Sequence, residues 1–171
     1  MTFPMDSSNF AMLAAIVLLI CLSAYFSATE TAFSSLNKIR MKSKAAAGDR
    51  RAARTLELAE DYDRLLSTIL IGNNIVNIAA TTVGTVLFID LVGAGYGPTV
   101  STVVLTVAVL IFGEISPKSI AKESPEKFAM WSAPILRVLL TVLRPLNFLF
   151  AQWKRLLSRV FCAGEDAGIT E

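Results

Sequence analysis

The sequence predicts an all-α membrane protein with three transmembrane helices and further helices lying along the cytoplasmic membrane surface. Of its 171 residues, 54% are hydrophobic and only 18% are charged, whereas about a quarter of residues are charged in soluble chains. The charges are also segregated. Uncharged stretches of 23, 25 and 23 residues separate Asp6 from Glu30, Arg64 from Asp90, and Asp90 from Glu114. A helix needs roughly 20 residues to cross the hydrocarbon core, and it satisfies its own backbone there.

These gaps set the predicted organisation of the chain, which has an external segment, a membrane domain and a linker. The predicted boundaries are an external N-terminal segment at 1–8, a transmembrane domain at 9–150 with spans at about 9–36, 65–89 and 92–116, interfacial helices at about 124–160, and a linker at 161–171. No Lys or Arg precedes Lys38. The first span is therefore expected to stay in the protein and not to act as a removable signal peptide.

The last apolar segment is interrupted by prolines and arginines. Arg137 and Arg144 lie seven residues apart, which places them on one helical face. An amphipathic helix along the inner leaflet fits this pattern, with Trp131 and Trp153 at headgroup level. A fourth span through Leu136–Phe150 is the alternative, and its two arginines argue against it.

The basic residues predict the orientation of the chain. All 16 fall in two blocks, eight between Lys38 and Arg64 and eight between Lys118 and Arg159. The positive-inside rule places both blocks in the cytoplasm and the N-terminus outside, as in a multi-pass protein of the cell (inner) membrane with a cytoplasmic C-terminus. Basic residues beside a membrane are expected to face anionic lipid heads, so membrane lipid is the expected partner and nucleic acid is not.

Each predicted span carries polar side chains in its cytoplasmic half. The stretches are "SAYFSATETAFSS", "IGNNIVNIAATT" and "IFGEISPK". Spacings of three and four residues place the polar side chains of one stretch along one helix face. The candidate ion-site residues are Ser23, Ser27 and Glu30 of the first span, Asn73, Asn74 and Asn77 of the second, and Gly113 and Glu114 of the third.

Two of these groups reach the same depth independently. Ser27 lies eleven residues from Lys38, and Asn74 lies ten residues from Arg64. With a rise of about 1.5 Å per residue, both lie roughly 15 Å inside the inner boundary. The sequence contains no His, and the available hydroxyl, amide and carboxylate oxygens suit Mg²⁺, Na⁺ or Ca²⁺ and disfavour Zn²⁺.

Glu114 is the main departure from this level. It lies only four residues from Lys118, so it is shallower unless the helix bends or breaks near Pro117. An ionisable side chain inside a membrane usually marks an ion or proton pathway. The alternatives are structural: Glu114 could pair with Lys118 at i+4, Glu30 could pair with a cytoplasmic lysine, and Asn73 could brace the helices.

The stretches "SATETAF", "IGNNIVNIAAT" and "FGEISPK", taken together, resemble the signature motifs of the transmembrane domain of CorC/cyclin M (CNNM) magnesium transporters. The resemblance covers about residues 10–150. It implies a homodimer that exports Mg²⁺ in exchange for Na⁺ entry. It also implies that Ser27, Asn74 and Glu114 hold partly dehydrated Mg²⁺ together with backbone carbonyls near helix breaks. The remaining candidates would be neighbouring groups or would serve Na⁺.

Full-length members of the family continue into a pair of cytosolic cystathionine-β-synthase (CBS) domains that bind ATP. Nothing in this sequence matches those domains, so the chain is expected to be the isolated membrane domain. Two other functions remain open, namely a passive divalent-cation channel and a membrane anchor without transport. An enzyme is not expected, because an intramembrane protease would need a His or a pair of aspartates, and Asp90 is the only aspartate beside a span.

Overall fold

The computed structural model describes residues 6–150 together with 152 and 153, and these residues form helices joined by short turns. The helices are Ser7–Ser34 (α1), Lys38–Ala46 (α2), Arg50–Glu60 (α3), Tyr62–Val92 (α4), Gly97–Ala108 (α5), Ser116–Glu123 (α6), Pro125–Val142 (α7) and Arg144–Phe150 (α8), with a π-helical segment, Val109–Ile115, joining α5 to α6. No strand occurs within these residues. The predicted linker, and the last part of the predicted interfacial region, lie outside them.

Three helices are long and apolar enough to cross a membrane, which confirms the predicted fold class. They are Ser7–Ser34, Tyr62–Val92 and Gly97–Glu123. The third begins and ends later than its predicted range. The turn between the second and third spans occupies residues 93–96, and the helix continues beyond Pro117. The bent pair of α7 and α8, at 70°, would add a fourth span only if it crossed the membrane as one unit.

The third span passes Pro117 without a break because the preceding turns are wider than an α-helix. In the π-helical segment the Ser116 N–H bonds to the Ile111 carbonyl, five residues back. A proline in a regular α-helix would clash with the carbonyl four residues before it, and it donates no hydrogen bond. The wider turn accommodates the ring. Because Pro117 has no N–H, one carbonyl oxygen of this segment receives no hydrogen bond from it.

The turn at residues 93–96 brings α4 and α5 into close contact. Gly93 has a φ of +93°, which a residue with a side chain rarely adopts. A Cβ at Gly97 would lie 2.7 Å from the Ile89 Cα, so only glycine fits where α5 begins. Leu87 and Leu105 are buried beside Ile16 of α1 in a small apolar cluster. The three spans therefore pack through apolar side chains in their halves nearest the turn between α4 and α5.

The two short basic helices α2 and α3 each begin at a side-chain cap. The Asn37 side chain accepts a hydrogen bond from the Arg40 N–H at 3.0 Å, and Asp49 accepts from the Arg51 N–H at 2.8 Å. Such caps satisfy backbone donors that a helix leaves unpaired at its first turn. Gly48, with a φ of +95°, turns the chain between the two helices.

Helix α7 lies against α1 and against both α2 and α3. The Tyr25 hydroxyl of α1 donates a hydrogen bond to the Ser132 carbonyl at 3.0 Å. Arg137 pairs with Glu57 of α3. At the start of α7, the Lys44 ammonium of α2 donates a hydrogen bond to Glu126 at 2.6 Å. These contacts hold α2, α3 and α7 together as a layer at the charged ends of the spans.

The Glu126 contact predicts how stability depends on pH. The hydrogen bond from Lys44, with a further contribution from Arg40, lowers the pKa of the Glu126 carboxyl below its ordinary value. A carboxyl whose pKa is lower in the folded state stabilises the fold above its unfolded pKa of about 4.3. That stabilisation is lost as the pH falls through the lower, folded pKa. We therefore expect thermal stability to decrease in this acidic range.

The measurement is the melting temperature of the detergent-solubilised protein as a function of pH. Glu126→Gln should be less stable than the wild type near neutral pH, and the difference between the two should shrink as the pH falls below about 4. Glu123→Gln, at an exposed position one turn earlier, is the control and should follow the wild-type curve. Parallel curves for the wild type and Glu126→Gln would contradict this role of Glu126.

Candidate ion site

The three spans meet at Ser23, in their halves nearest the basic residues. The Ser23 hydroxyl of α1 donates a hydrogen bond to the Asn73 side-chain oxygen of α4 at 3.0 Å. The π-helical segment lies on the other side of Ser23, where a Cβ at Gly113 would be 3.0 Å from Ser23 Oγ. Ser23 itself is fully buried. The structure therefore brings together Ser23, Asn73 and Gly113, one residue from each predicted polar stretch.

Glycines explain why the helices approach so closely here. A Cβ at Gly72 would lie 2.4 Å from the Phe26 ring, so the Phe26 side chain occupies space that only glycine leaves open. Gly113 leaves the corresponding space for Ser23. Small residues at helix contacts allow such close packing in membranes. The positions of Gly72 and Gly113 therefore determine which polar side chains of α4 and the third span face α1.

Ser27 lies one helical turn from Ser23, on the same face of α1. Only 1% of its surface is exposed, and its Oγ has no hydrogen-bond partner in the described part of the chain. A serine in a membrane helix commonly bonds back to its own helix. A buried hydroxyl without a partner costs about 1–3 kcal/mol. The buried Asn77 side-chain oxygen of α4 is unpartnered among the same residues.

The other two implied ligands lie at less buried positions. Asn74 is exposed on the single chain, whereas its neighbour Asn73 is half-buried. Glu114, next to Gly113 in the π-helical segment, is also half-buried. Ser27, Asn74 and Glu114 form no hydrogen bond with one another within residues 6–150.

The lysine that could neutralise Glu114 is paired with another residue. Lys118 Nζ lies 3.3 Å from the Glu30 carboxylate. The structural alternative for Glu30, a lysine partner, is therefore formed, and the i+4 pair between Glu114 and Lys118 is not. In the part of the chain that the structure describes, the Glu114 carboxylate has no ion pair or hydrogen bond. Its negative charge is available to a ligand.

The donor set around Ser23 consists of hard oxygen atoms. It contains hydroxyl, amide and backbone carbonyl oxygens, with Glu114 as the adjoining carboxylate. No group of three or more His, Cys, Asp or Glu side chains that could hold a metal occurs among the described residues. Neutral oxygens and a single carboxylate are ligands that Mg²⁺ and Na⁺ accept. The oxygen donors present are therefore of the kind that a small hard cation binds.

Sequence reasoning assigned no role to the contact between α1 and α7. Ser132 and Ala129 are fully buried, as is Leu136, and these residues form the face of α7 that contacts α1. The available signal was the spacing of small residues in "AMWSAP", at three and four positions, which is typical of close helix contacts in membranes. Helix α7 thereby packs against α1 at Tyr25, on the side of that helix away from Ser23 and Ser27.

Comparison with known proteins identifies the family. The chain matches the family model of the cyclin M transmembrane N-terminal domain over residues 14–169. The chain belongs to the cyclin M transmembrane domain family. This membership confirms the resemblance carried by the three motifs. With three candidate membrane-crossing helices, this cyclin M domain is a multi-pass membrane protein.

Relatives of this cyclin M domain include bacterial membrane proteins. It is 42% identical over 139 residues to the UPF0053 inner membrane protein YfjD of Escherichia coli, covering 81% of this chain and 32% of that protein. It is 41% identical over 147 residues to a UPF0053 protein of Haemophilus influenzae, covering 85% and 35%. A protein of the same organism named polyamine export protein is 30% identical over 159 residues, covering 86% and 37%. The chain thus spans about a third of the length of these relatives.

Proposed function

We propose that this cyclin M domain is a secondary transporter that exports Mg²⁺ across the cell membrane in exchange for Na⁺ entry. The observation that carries the proposal is the buried Ser27 hydroxyl, which has no partner in the described chain and lies one turn from the point where three spans meet. An unpaired buried oxygen is costly, and a bound cation would offset that cost.

The proposed ligands come from all three spans. Ser27 supplies a hydroxyl, Asn74 an amide oxygen and Glu114 a carboxylate, and the carbonyl oxygen released by Pro117 lies in the same turn as Glu114. One carboxylate leaves a divalent cation with net positive charge, which favours a site that also releases its ion. The surrounding candidates, which would position these ligands or serve Na⁺, are Ser23, Glu30, Asn73, Asn77 and Gly113.

The exposure of Asn74 supports the homodimer that the family resemblance implies. An amide group facing lipid would lack the hydrogen bonds it has in water, at a cost of several kcal/mol. Asn74 lies in the apolar span α4 and is exposed on the single chain. We propose that a second copy covers this face of α4. In the whole protein, CBS-type cytosolic domains would follow the membrane domain on the side of the basic residues.

A second candidate substrate comes from the relative named polyamine export protein. A polyamine carries several ammonium groups, which carboxylates bind well, but among the candidate site residues of the described chain only Glu114 has a carboxylate without a salt-bridge partner. The donor set therefore favours a small inorganic ion. A passive channel and a membrane anchor are the remaining alternatives.

The decisive experiment measures cation flux in proteoliposomes that contain the purified chain. We expect Mg²⁺ flux that increases when a Na⁺ gradient is imposed in the opposite direction and that putrescine does not inhibit. Mg²⁺ flux that ignores the Na⁺ gradient would indicate a channel. Na⁺-driven putrescine flux without Mg²⁺ flux would indicate that polyamines are the substrate. The absence of any flux would favour a membrane anchor.

A further inference from the structure

A groove of about 470 Å³ lies between α3 and α7, away from the point where the spans meet. The small and apolar residues of each helix are buried against the rest of the protein, and a different face of each helix lines the groove. The residues that line it are Arg51, Arg54 and Leu58 of α3, and Met130, Trp131, Ala133, Pro134, Ile135, Arg137 and Val138 of α7. The positions on α3 are three and four residues apart, so one continuous helix face forms that wall.

The α7 wall is apolar and open. Trp131 is 59% exposed, Ile135 44% and Val138 62%. Their spacing of three and four residues makes them one strip along the helix. The opposite face of α7 is buried, so most of this strip stays open, and only Trp131 also contacts α1, at the Tyr25 ring. An apolar strip of this kind favours an apolar occupant.

The α3 wall supplies positive charge that the protein does not neutralise. Neither Arg51 nor Arg54 has a carboxylate partner among the described residues, whereas Arg137 at the end of the groove is paired with Glu57. Two guanidinium groups on one helix face can each donate two hydrogen bonds to a phosphate. The groove therefore combines an apolar wall with an anion-binding edge.

The position of the groove relative to the spans fits an occupant that comes from the membrane. Helix α3 leads directly into the span that begins at Tyr62. Helix α7 rests on the span α1, where the Tyr25 and Trp131 rings are 5.9 Å apart. Tyr25 lies within the apolar span α1, two residues deeper than Ser27, whereas Arg51 and Arg54 lie on α3 before the start of α4. The groove thus extends from the charged ends of the spans, where lipid phosphates lie, toward the apolar part of the membrane.

We propose that this groove binds an anionic phospholipid. Its phosphate lies against Arg51 and Arg54, and one acyl chain lies along the strip formed by Trp131, Ile135 and Val138. The lipid then bridges α3 and α7, which the protein itself joins through the pair of Arg137 and Glu57. This site does not depend on which ion the spans transport.

The test uses the fluorescence of Trp131 in lipid nanodiscs, with Trp153→Phe as the background so that one tryptophan reports. Two sets of phosphatidylcholine discs are prepared, one with a minor fraction of brominated phosphatidylglycerol and one with the same fraction of brominated phosphatidylcholine. Brominated acyl chains quench tryptophan on contact. We expect brominated phosphatidylglycerol to quench Trp131 more strongly than brominated phosphatidylcholine does. This preference should decrease about fivefold for each arginine removed, as in Arg51→Gln and Arg54→Gln.

The matched control is Lys42→Gln combined with Arg50→Gln, which removes the same charge from exposed positions of α2 and α3 outside the groove. It should keep the preference. The double variant Arg51→Lys with Arg54→Lys keeps the charge and the fold, and it should lose only part of the preference for phosphatidylglycerol. Equal quenching by the two lipids in the wild type, or an unchanged preference in the Arg→Gln pair, would overturn the proposal. The groove would then be covered by a second copy of the chain.

Discussion

Glu114→Gln is expected to reduce Na⁺-driven Mg²⁺ flux by roughly tenfold to a hundredfold, the range typical for loss of a group that supports metal binding. Glutamine keeps the size of the side chain and one oxygen ligand but removes the negative charge. In the described chain that charge has no cationic partner, because Lys118 is paired with Glu30. The substitution therefore removes attraction to the cation without breaking a salt bridge.

The control for this variant is Glu123→Gln, at an exposed position near the end of the same continuous helix. It should transport at the wild-type rate. Glu30→Gln is a second comparison, since it breaks the pair with Lys118 and leaves Glu114 in place. Wild-type flux in Glu114→Gln, measured at equal protein density in the liposomes, would rule out this carboxylate as a ligand.

Gly113→Leu is expected to eliminate transport and to lower stability by about 1–3 kcal/mol, the usual cost of overpacking a well-packed contact. Even the first added carbon would lie 3.0 Å from Ser23 Oγ and 3.3 Å from Ser23 Cβ. A longer side chain must separate the third span from α1, which also disturbs the hydrogen bond between Ser23 and Asn73. Gly113→Ala should give a smaller effect in the same direction.

Gly95→Leu is the matched control, because a Cβ at Gly95 has no atom within 4 Å and its backbone is not in the left-handed region. Thermal melting and flux should both be measured for the three variants. If Gly113→Leu melted and transported like Gly95→Leu, the close contact between Gly113 and Ser23 would not be needed for transport.

The spans and their polar faces follow from the sequence because lipid imposes strict conditions. A membrane helix needs a long uncharged stretch, so the charge gaps predict all three spans. Spacings of three and four residues then predict that Ser23 and Ser27 share a face. The same periodicity leaves the choice between Asn73 and Asn74 open, since adjacent residues point about 100° apart. In the structure, Asn73 faces Ser23 and Asn74 is exposed.

The rotation of each helix could not be predicted, because it depends on contacts between distant parts of the chain. Gly72 fits against Phe26, and Gly113 fits against Ser23, and these contacts decide which residues face inward. The π-helical segment likewise depends on contacts between distant parts of the chain. Pro117 predicts a disturbance of the helix, but the sequence does not distinguish a break from a wider turn.

Crystals of the domain soaked in Mn²⁺, which replaces Mg²⁺ and scatters anomalously, test the central claim most directly. The account predicts an anomalous peak about 2.0–2.2 Å from oxygens of Ser27, Asn74 and Glu114, because octahedral cations of this size bind oxygen at such distances. The peak should disappear in Glu114→Gln crystals. A Mn²⁺ peak elsewhere in the spans, or these three side chains in the Mn²⁺ crystals pointing to separate surfaces with no peak between them, would contradict a shared cation site.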